Sequence, residues 1–117
     1  MLKAQAGVEA AFIIALLVTF VVTVAVPAVR EAELDSVLSS CRLAGVEWAS
    51  HNASRDFQGL VFDRQDRVVT MAPQAFQDGR FVTSTELDAA LLEAASQVAN
   101  APVEGSCVKA LNYEYCV

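Results

Sequence analysis

Lys3-Ala4-Gln5-Ala6-Gly7-Val8-Glu9 leads directly into AAFIIALLVTFVVTVAVPAV, the twenty uncharged residues from Ala10 to Val29. At about 1.5 Å of rise per helical residue, such a run reaches across a hydrocarbon layer of roughly 30 Å. The run therefore predicts a membrane-spanning helix. Its length is compatible with several kinds of protein, and the flank before it does more to separate them than the run itself.

Three readings compete. A secretory signal peptide has a basic start, an apolar stretch of roughly seven to fifteen residues and a small-residue cut. Val26-Pro27-Ala28 offers that cut and would release a soluble domain beginning at Val29. Against this, the run is too long, Lys3 is the only basic residue ahead of it, and the acidic Glu9 abuts the apolar segment. A permanent bitopic anchor, with a small outer domain assisting a larger secretion or adhesion machine, explains the length. It leaves Glu9 without a role, and a carboxylate in a bilayer costs up to about 3 kcal/mol at depth. Complementing the dipole of the first helical turn is the simple alternative for that residue. The third reading takes flank and run as one unit.

Taken so, a basic residue, a small residue, Gln5-Ala6-Gly7-Val8-Glu9 and an apolar helix resemble the class III signal peptide of archaeal type IV pilin-like proteins. That family's pattern is a basic residue, a small residue, then Gln-x-Ser-x-Glu before the helix. Gly7 stands where the pattern prefers Ser, and Ala4 where Gly is usual, and both departures keep the residue small. Bacterial tight-adherence pseudopilins share a similar small-residue, Val-Glu, apolar-helix beginning, and Gln5 favours the archaeal pattern over theirs. The resemblance covers about thirty residues, a quarter of the chain.

The resemblance implies cleavage by a prepilin peptidase between Ala4 and Gln5 on the cytoplasmic side, so that residues 1–4 leave as a leader and the helix stays. Glu9 then becomes the fifth residue of the mature chain, where pilin-like proteins carry a glutamate that pairs with the free N-terminal amine of a neighbouring subunit, here that of Gln5. The physics agrees with that assignment. Inside an apolar bundle, an unpaired carboxylate and an unpaired ammonium are each costly, and a pair in register is far less so. The pair would set the axial step by penalising misregistered packing. Pro27, near the end of the run, is expected to kink or loosen the helix. The other reading of Pro27 is a marker of the membrane boundary.

After Val29 the chain reads as ordinary soluble protein. Leu34, Val37, Leu38, Cys41, Ala44, Gly45 and Trp48 recur at three- and four-residue steps, with Glu31, Asp35, Arg42 and Glu47 off that line. This predicts an amphipathic helix over residues 30–52 that continues the apolar one, its stripe packed on its own domain and Cys41 and Trp48 in the core. Asn52-Ala53-Ser54 matches the N-glycosylation acceptor pattern, which makes Asn52 a candidate modification site. Apolar stretches around Leu60-Val61-Phe62 and Val68-Val69-Thr70, then Asp78-Gly79 before Arg80-Phe81, suggest short strands and a turn, with Pro73 making a long loop an equal option. Thr83 with Glu86 forms a possible capping box, followed by Leu87, Leu91, Ala94, Ala95 and Val98 at helical spacing. Residues 103–117 suggest a terminal strand or a cysteine-stapled hairpin.

Three cysteines, Cys41, Cys107 and Cys116, lack the C-x-x-C spacing of zinc sites, so no metal and no cofactor is expected. Cys107 with Cys116 is the first-choice disulfide in an oxidising setting, provided the chain reverses between them near Asn112. Without that reversal Cys41 becomes the partner, and three buried thiols are the remaining option. The net charge of -6 and the lack of basic clusters argue against nucleic acid as a partner. No phosphate-binding glycine loop, ligand cluster or nucleophile signature is present, so catalysis is not expected.

The sequence thus predicts an α+β protein: leader 1–4, a membrane or filament-core helix 5–29, its amphipathic continuation 30–52 and a small extracellular head 53–117. The expected role is a major or minor subunit of a type IV pilus-like surface filament. Such a subunit is held in the cell membrane as a precursor and then assembles with copies of itself or with related subunits into a helical filament outside the cell.

Overall fold

A computed structural model describes residues 2–117. The architecture is α+β, with a long N-terminal helix followed by a small mixed sheet and one further helix. Helical backbone runs without a break through α1 (Leu2–Phe20), a π-helical segment (Val21–Ala25) and α2 (Val26–Ser50). The chain divides by internal contacts into a unit ending at Ala32 and a second unit, Glu33–Val117, so most of α2 belongs with the head.

In the first unit every apolar side chain from Val8 to Val22 that is large enough to matter is exposed, Phe12 by 65% and Ile14 by 60%. The helix is long and apolar enough to cross a membrane, and its most apolar window contributes nothing to the buried interior. The π-helical segment has a local cause. Proline lacks the N–H that would bond four residues back, and its ring collides with that carbonyl, here that of Thr23. The backbone widens just ahead of Pro27, and Val26 N–H bonds back to the Val21 carbonyl, five residues away. Thr19 and Thr23 donate their hydroxyls to the carbonyls of Ala15 (2.8 Å) and Thr19 (2.7 Å). Neither side chain thereby leaves a polar hydrogen unsatisfied in an apolar surrounding.

In the head, α2 buries the expected stripe: Leu34, Val37, Leu38, Cys41, Gly45 and Trp48. Strands β1 (Arg55–Gln65) and β2 (Val68–Gln77) form an antiparallel hairpin, followed by β3 (Arg80–Phe81), helix α3 (Thr85–Ala99) and the short strands β4 (Val103–Glu104), β5 (Cys107–Lys109) and β6 (Glu114–Cys116). The sheet order is β1-β2-β6-β5-β4, with β3 on β2. β6 runs parallel to β2 over Val68–Thr70 and antiparallel to β5. The core is built from the α2 stripe, from Leu87, Leu91, Leu92 and Ala95 of α3, and from sheet residues including Val69, Met71, Val108 and Tyr115.

The hairpin is longer and more regular than the sequence suggests. Gln65 pairs with Val68, so Asp66-Arg67 is a two-residue turn, with Asp66 in the left-handed region at φ 55°. Pro73 does not break β2. Beyond Thr70 that strand has no partner on its β6 flank until β3 meets Phe76, and an open flank is where a strand can lack a donor. β1 absorbs one extra residue between Phe57 and Gly59, and Gly59 takes φ 146° at this bulge. At Asp78-Gly79 both residues have positive φ, 54° and 77°, as the tight hairpin turn into β3 requires.

The cap of α3 differs by one residue from the expected box. Ser84, in extended conformation, is the N-cap and accepts a hydrogen bond from Leu87 N–H at 3.3 Å. Thr83 is displaced from that role because only the residue immediately before Thr85 can reach the third N–H of the helix. At the other end Asn100 closes α3 in the left-handed conformation, and Val98, expected on the apolar stripe, is exposed.

Candidate functional site

The predicted assembly residues all lie in the N-terminal helix. Ala4, Gln5 and Glu9 are exposed positions of α1. Glu9 makes no hydrogen bond or ion pair among the described residues. Pro27 is the second residue of α2, directly after the π-helical segment. What this stretch offers chemically is a long apolar surface interrupted by one carboxylate.

Cys107 and Cys116 face each other across β5 and β6, with Cα atoms 4.1 Å apart, and are joined by a disulfide. The reversal that brings them together is a tight turn in which Ala110 N–H donates to the Tyr113 carbonyl (2.9 Å). Glu114 lies close to both sulfurs, which are bonded to each other. Cys41 is free and buried, donating to the Leu91 carbonyl at 3.5 Å. Burial pushes its thiol up to about 11.

Asn52 is exposed just beyond α2. Its Oδ1 accepts both the backbone N–H (3.0 Å) and the hydroxyl (2.9 Å) of Ser54, so the two sequon residues are already in contact. His51 is exposed. Its backbone N–H reaches the Trp48 carbonyl at 3.4 Å.

Two further features of the head have no signature in the linear sequence. The first is a cleft of about 340 Å³ between α2 and α3, lined by Ala44, Ala90 and Ala94 together with Glu47, Glu86 and Glu93. Trp48 forms one wall and is only 4% exposed, yet its indole Nε1 is buried without a hydrogen-bond partner among the described residues. Arg55 stacks on the same indole, its guanidinium carbon 4.6 Å from the ring centroid. The same side chain donates to the Trp48 carbonyl (3.3 Å) and pairs with Glu86 (3.5 Å). Arg55 is seven residues from Trp48, a helical spacing, but α2 ends at Ser50 and Arg55 opens β1, so the contact is not one that helical periodicity announces.

The second feature lies at the other end of the head's share of α2. Glu33 Oε2 accepts the backbone N–H of Asn112 at 3.1 Å and also the Asn112 side-chain amide. Arg67, in the β1–β2 turn, donates to the carbonyls of Leu111 (3.1 Å) and Asn112 (3.3 Å). These bonds fix the β5–β6 turn, whose Leu111 is 82% exposed. Tyr115 is fully buried, its hydroxyl has no partner among the described residues, and its ionisation is pushed up by desolvation first and then by the Glu33 charge.

No protein-family model, curated protein or solved structure matches this chain.

Proposed function

We propose that the protein is a structural subunit of a surface filament of the type IV pilin-like kind, major or minor. In this reading it is trimmed before Gln5 by a prepilin peptidase and assembles through its N-terminal helix. One observation carries the reading: a helix that remains helical from the membrane-length apolar segment into the core of a small sheet domain, with its apolar side chains outward and a single carboxylate, Glu9, placed near its start. That arrangement suits a chain which first sits in lipid and then packs the same surface against copies of itself. The exchange of lipid for protein neighbours of similar polarity is driven by packing, and the Glu9–amine pair supplies order.

The function proposed is assembly rather than catalysis. The head's disulfide fits an oxidising exterior. Membrane residence is proposed for the precursor and an extracellular filament for the product. A bitopic anchor with a small outer domain uses the same apolar helix without polymerising. A secretory cut after Ala28 would fall inside α2.

N-terminal sequencing of the mature chain separates the three. A start at Gln5 is expected. A start at Met1 or Leu2 would favour the anchor, and a start at Val29 would replace the proposal with a secreted domain.

A further inference from the structure

We infer that the outward face of α2 in the head pairs with the same face of a second copy, as a parallel two-stranded seam running from Ser36 to Ser50. The inference goes beyond the filament reading, because it needs only two copies inserted in one membrane.

The helix is two-faced. The head takes Leu34, Val37, Leu38, Cys41, Gly45 and Trp48 for its core. On the opposite side Ser36, Ser39, Leu43, Val46 and Ser50 are all exposed, at successive steps of three, four, three and four residues. This is the spacing of the inner positions of a coiled coil, with Ser36, Leu43 and Ser50 in one class and Ser39 and Val46 in the other. Leu43 is 69% exposed and Val46 56%, and they are the large apolar side chains that the head's share of α2 leaves in solvent. The serines around them are small and uncharged, and let two backbones approach along the whole face.

The charges beside the face choose the occupant. In a parallel pair, a residue flanking the seam on one side meets, across it, the residue five positions later in the other chain. Arg42 therefore meets Glu47 of the second copy, and the two-fold relation makes the same pair again on the other side. Neither side chain has a hydrogen bond or ion pair among the described residues. The same rule sets Asp35 opposite Ser40, so no like charges are opposed. Glu47 shares the α2–α3 cleft with Glu93 and with Glu86, which is already paired with Arg55, so an incoming arginine relieves an excess of negative charge. An antiparallel pair would lose this match, since it brings the Arg42 edges of both copies together.

Direction and concentration come from the N-terminal segment. Copies anchored in one membrane enter α2 from the same side, which selects the parallel arrangement. From Ser36 to Ser50 the seam is roughly 21 Å long, too short to hold separate chains together in water. Anchoring raises the effective concentration to roughly millimolar, where a weak contact suffices. Because both copies use one surface, the contact closes at two.

The test uses the full-length chain in lipid vesicles, with Ser36→Cys, Leu43→Cys or Ser50→Cys introduced singly and mildly oxidised. Each should give a disulfide-linked dimer and no higher species on a non-reducing gel. Leu111→Cys, at a site 82% exposed but off the face, is the collision control and should link roughly tenfold less. Arg42→Glu should lower the Leu43→Cys dimer roughly fivefold, the equivalent of about 1 kcal/mol, as should Glu47→Arg, and the two together should restore it. Absence of the dimer in chains whose circular dichroism and native disulfide are intact overturns the inference. So do equal linking at Leu111→Cys, a dimer unmoved by either charge reversal, and mixed Ser36→Cys with Ser50→Cys dimers outnumbering the self-linked ones. A dimer formed by chains that still begin at Met1 upholds the seam and removes the trimming proposal. Filaments starting at Gln5 whose Leu43→Cys copies stay unlinked remove the seam alone.

Discussion

A Cβ at Gly45 would lie within 2.6 Å of three ring carbons of Phe57, so the glycine is there to let β1 approach α2. Gly45→Ala is expected to destabilise the protein by about 1–2 kcal/mol, because displacing a half-buried ring packed against the core outweighs the helix-propensity gain of alanine. In a Phe57→Ala background the same substitution should become neutral or stabilising by up to about 1 kcal/mol, and a denaturant-unfolding cycle measures the difference. Cys41 gives a pH signature. Its thiol is raised from 9.0 to about 11 by burial, so above pH 9 the unfolded chain releases this proton before the folded chain does. The stability contributed by the protonated thiol is complete below pH 9 and is lost as pH climbs towards 11, a fall of roughly 2–3 kcal/mol. Tyr115 shifts in the same direction and adds to the fall at the alkaline end. Cys41→Ala should flatten the curve of unfolding free energy against pH over this window.

Among the elements, α3 offers a sharp comparison between neighbours. Ser84→Ala should cost about 1 kcal/mol by removing the acceptor for Leu87 N–H, and Thr83→Ala should cost far less, as read by thermal or denaturant unfolding. The sequence contained the helix but could not choose between two adjacent hydroxyl residues, since capping depends on which backbone turns extended first. Helical spacing made the α2 stripe legible in full, because its period survives any tertiary context. The hairpin was less legible. Asp66-Arg67 is not one of the glycine-containing dipeptides that signal a tight turn, and Pro73 argues for a loop unless one knows which flank of β2 is open. The cleft was not legible at all, because Trp48, Arg55 and Glu86 meet only once α2, β1 and α3 have packed. Pro27 was flagged for the helix, but the widening it produces falls over Val21–Ala25, where the displaced carbonyl lies. Pro27→Ala should return Val21–Ala25 to ordinary α-helical hydrogen bonding, visible as carbonyl shifts in NMR spectra of the micelle-bound chain.

Across the whole molecule, the head is small enough that its covalent staple counts. Closing a nine-residue separation contributes about 2–3 kcal/mol in the chain-entropy account, so Cys107→Ser with Cys116→Ser should lower unfolding stability by that amount. Glu9→Ala, by contrast, is expected to leave membrane insertion and head stability unchanged while reducing filament yield by tenfold or more, roughly the effect of one missing ion pair or greater. Electron microscopy of sheared surface material checks it, and normal filaments would remove the registry role. The staple has one more consequence. Lys109, an exposed residue at the end of β5, lies between the two bridged cysteines. A protease of tryptic specificity that nicks the backbone there leaves Ala110–Val117 covalently held, so damage at this point stays hidden until a reductant frees the tail.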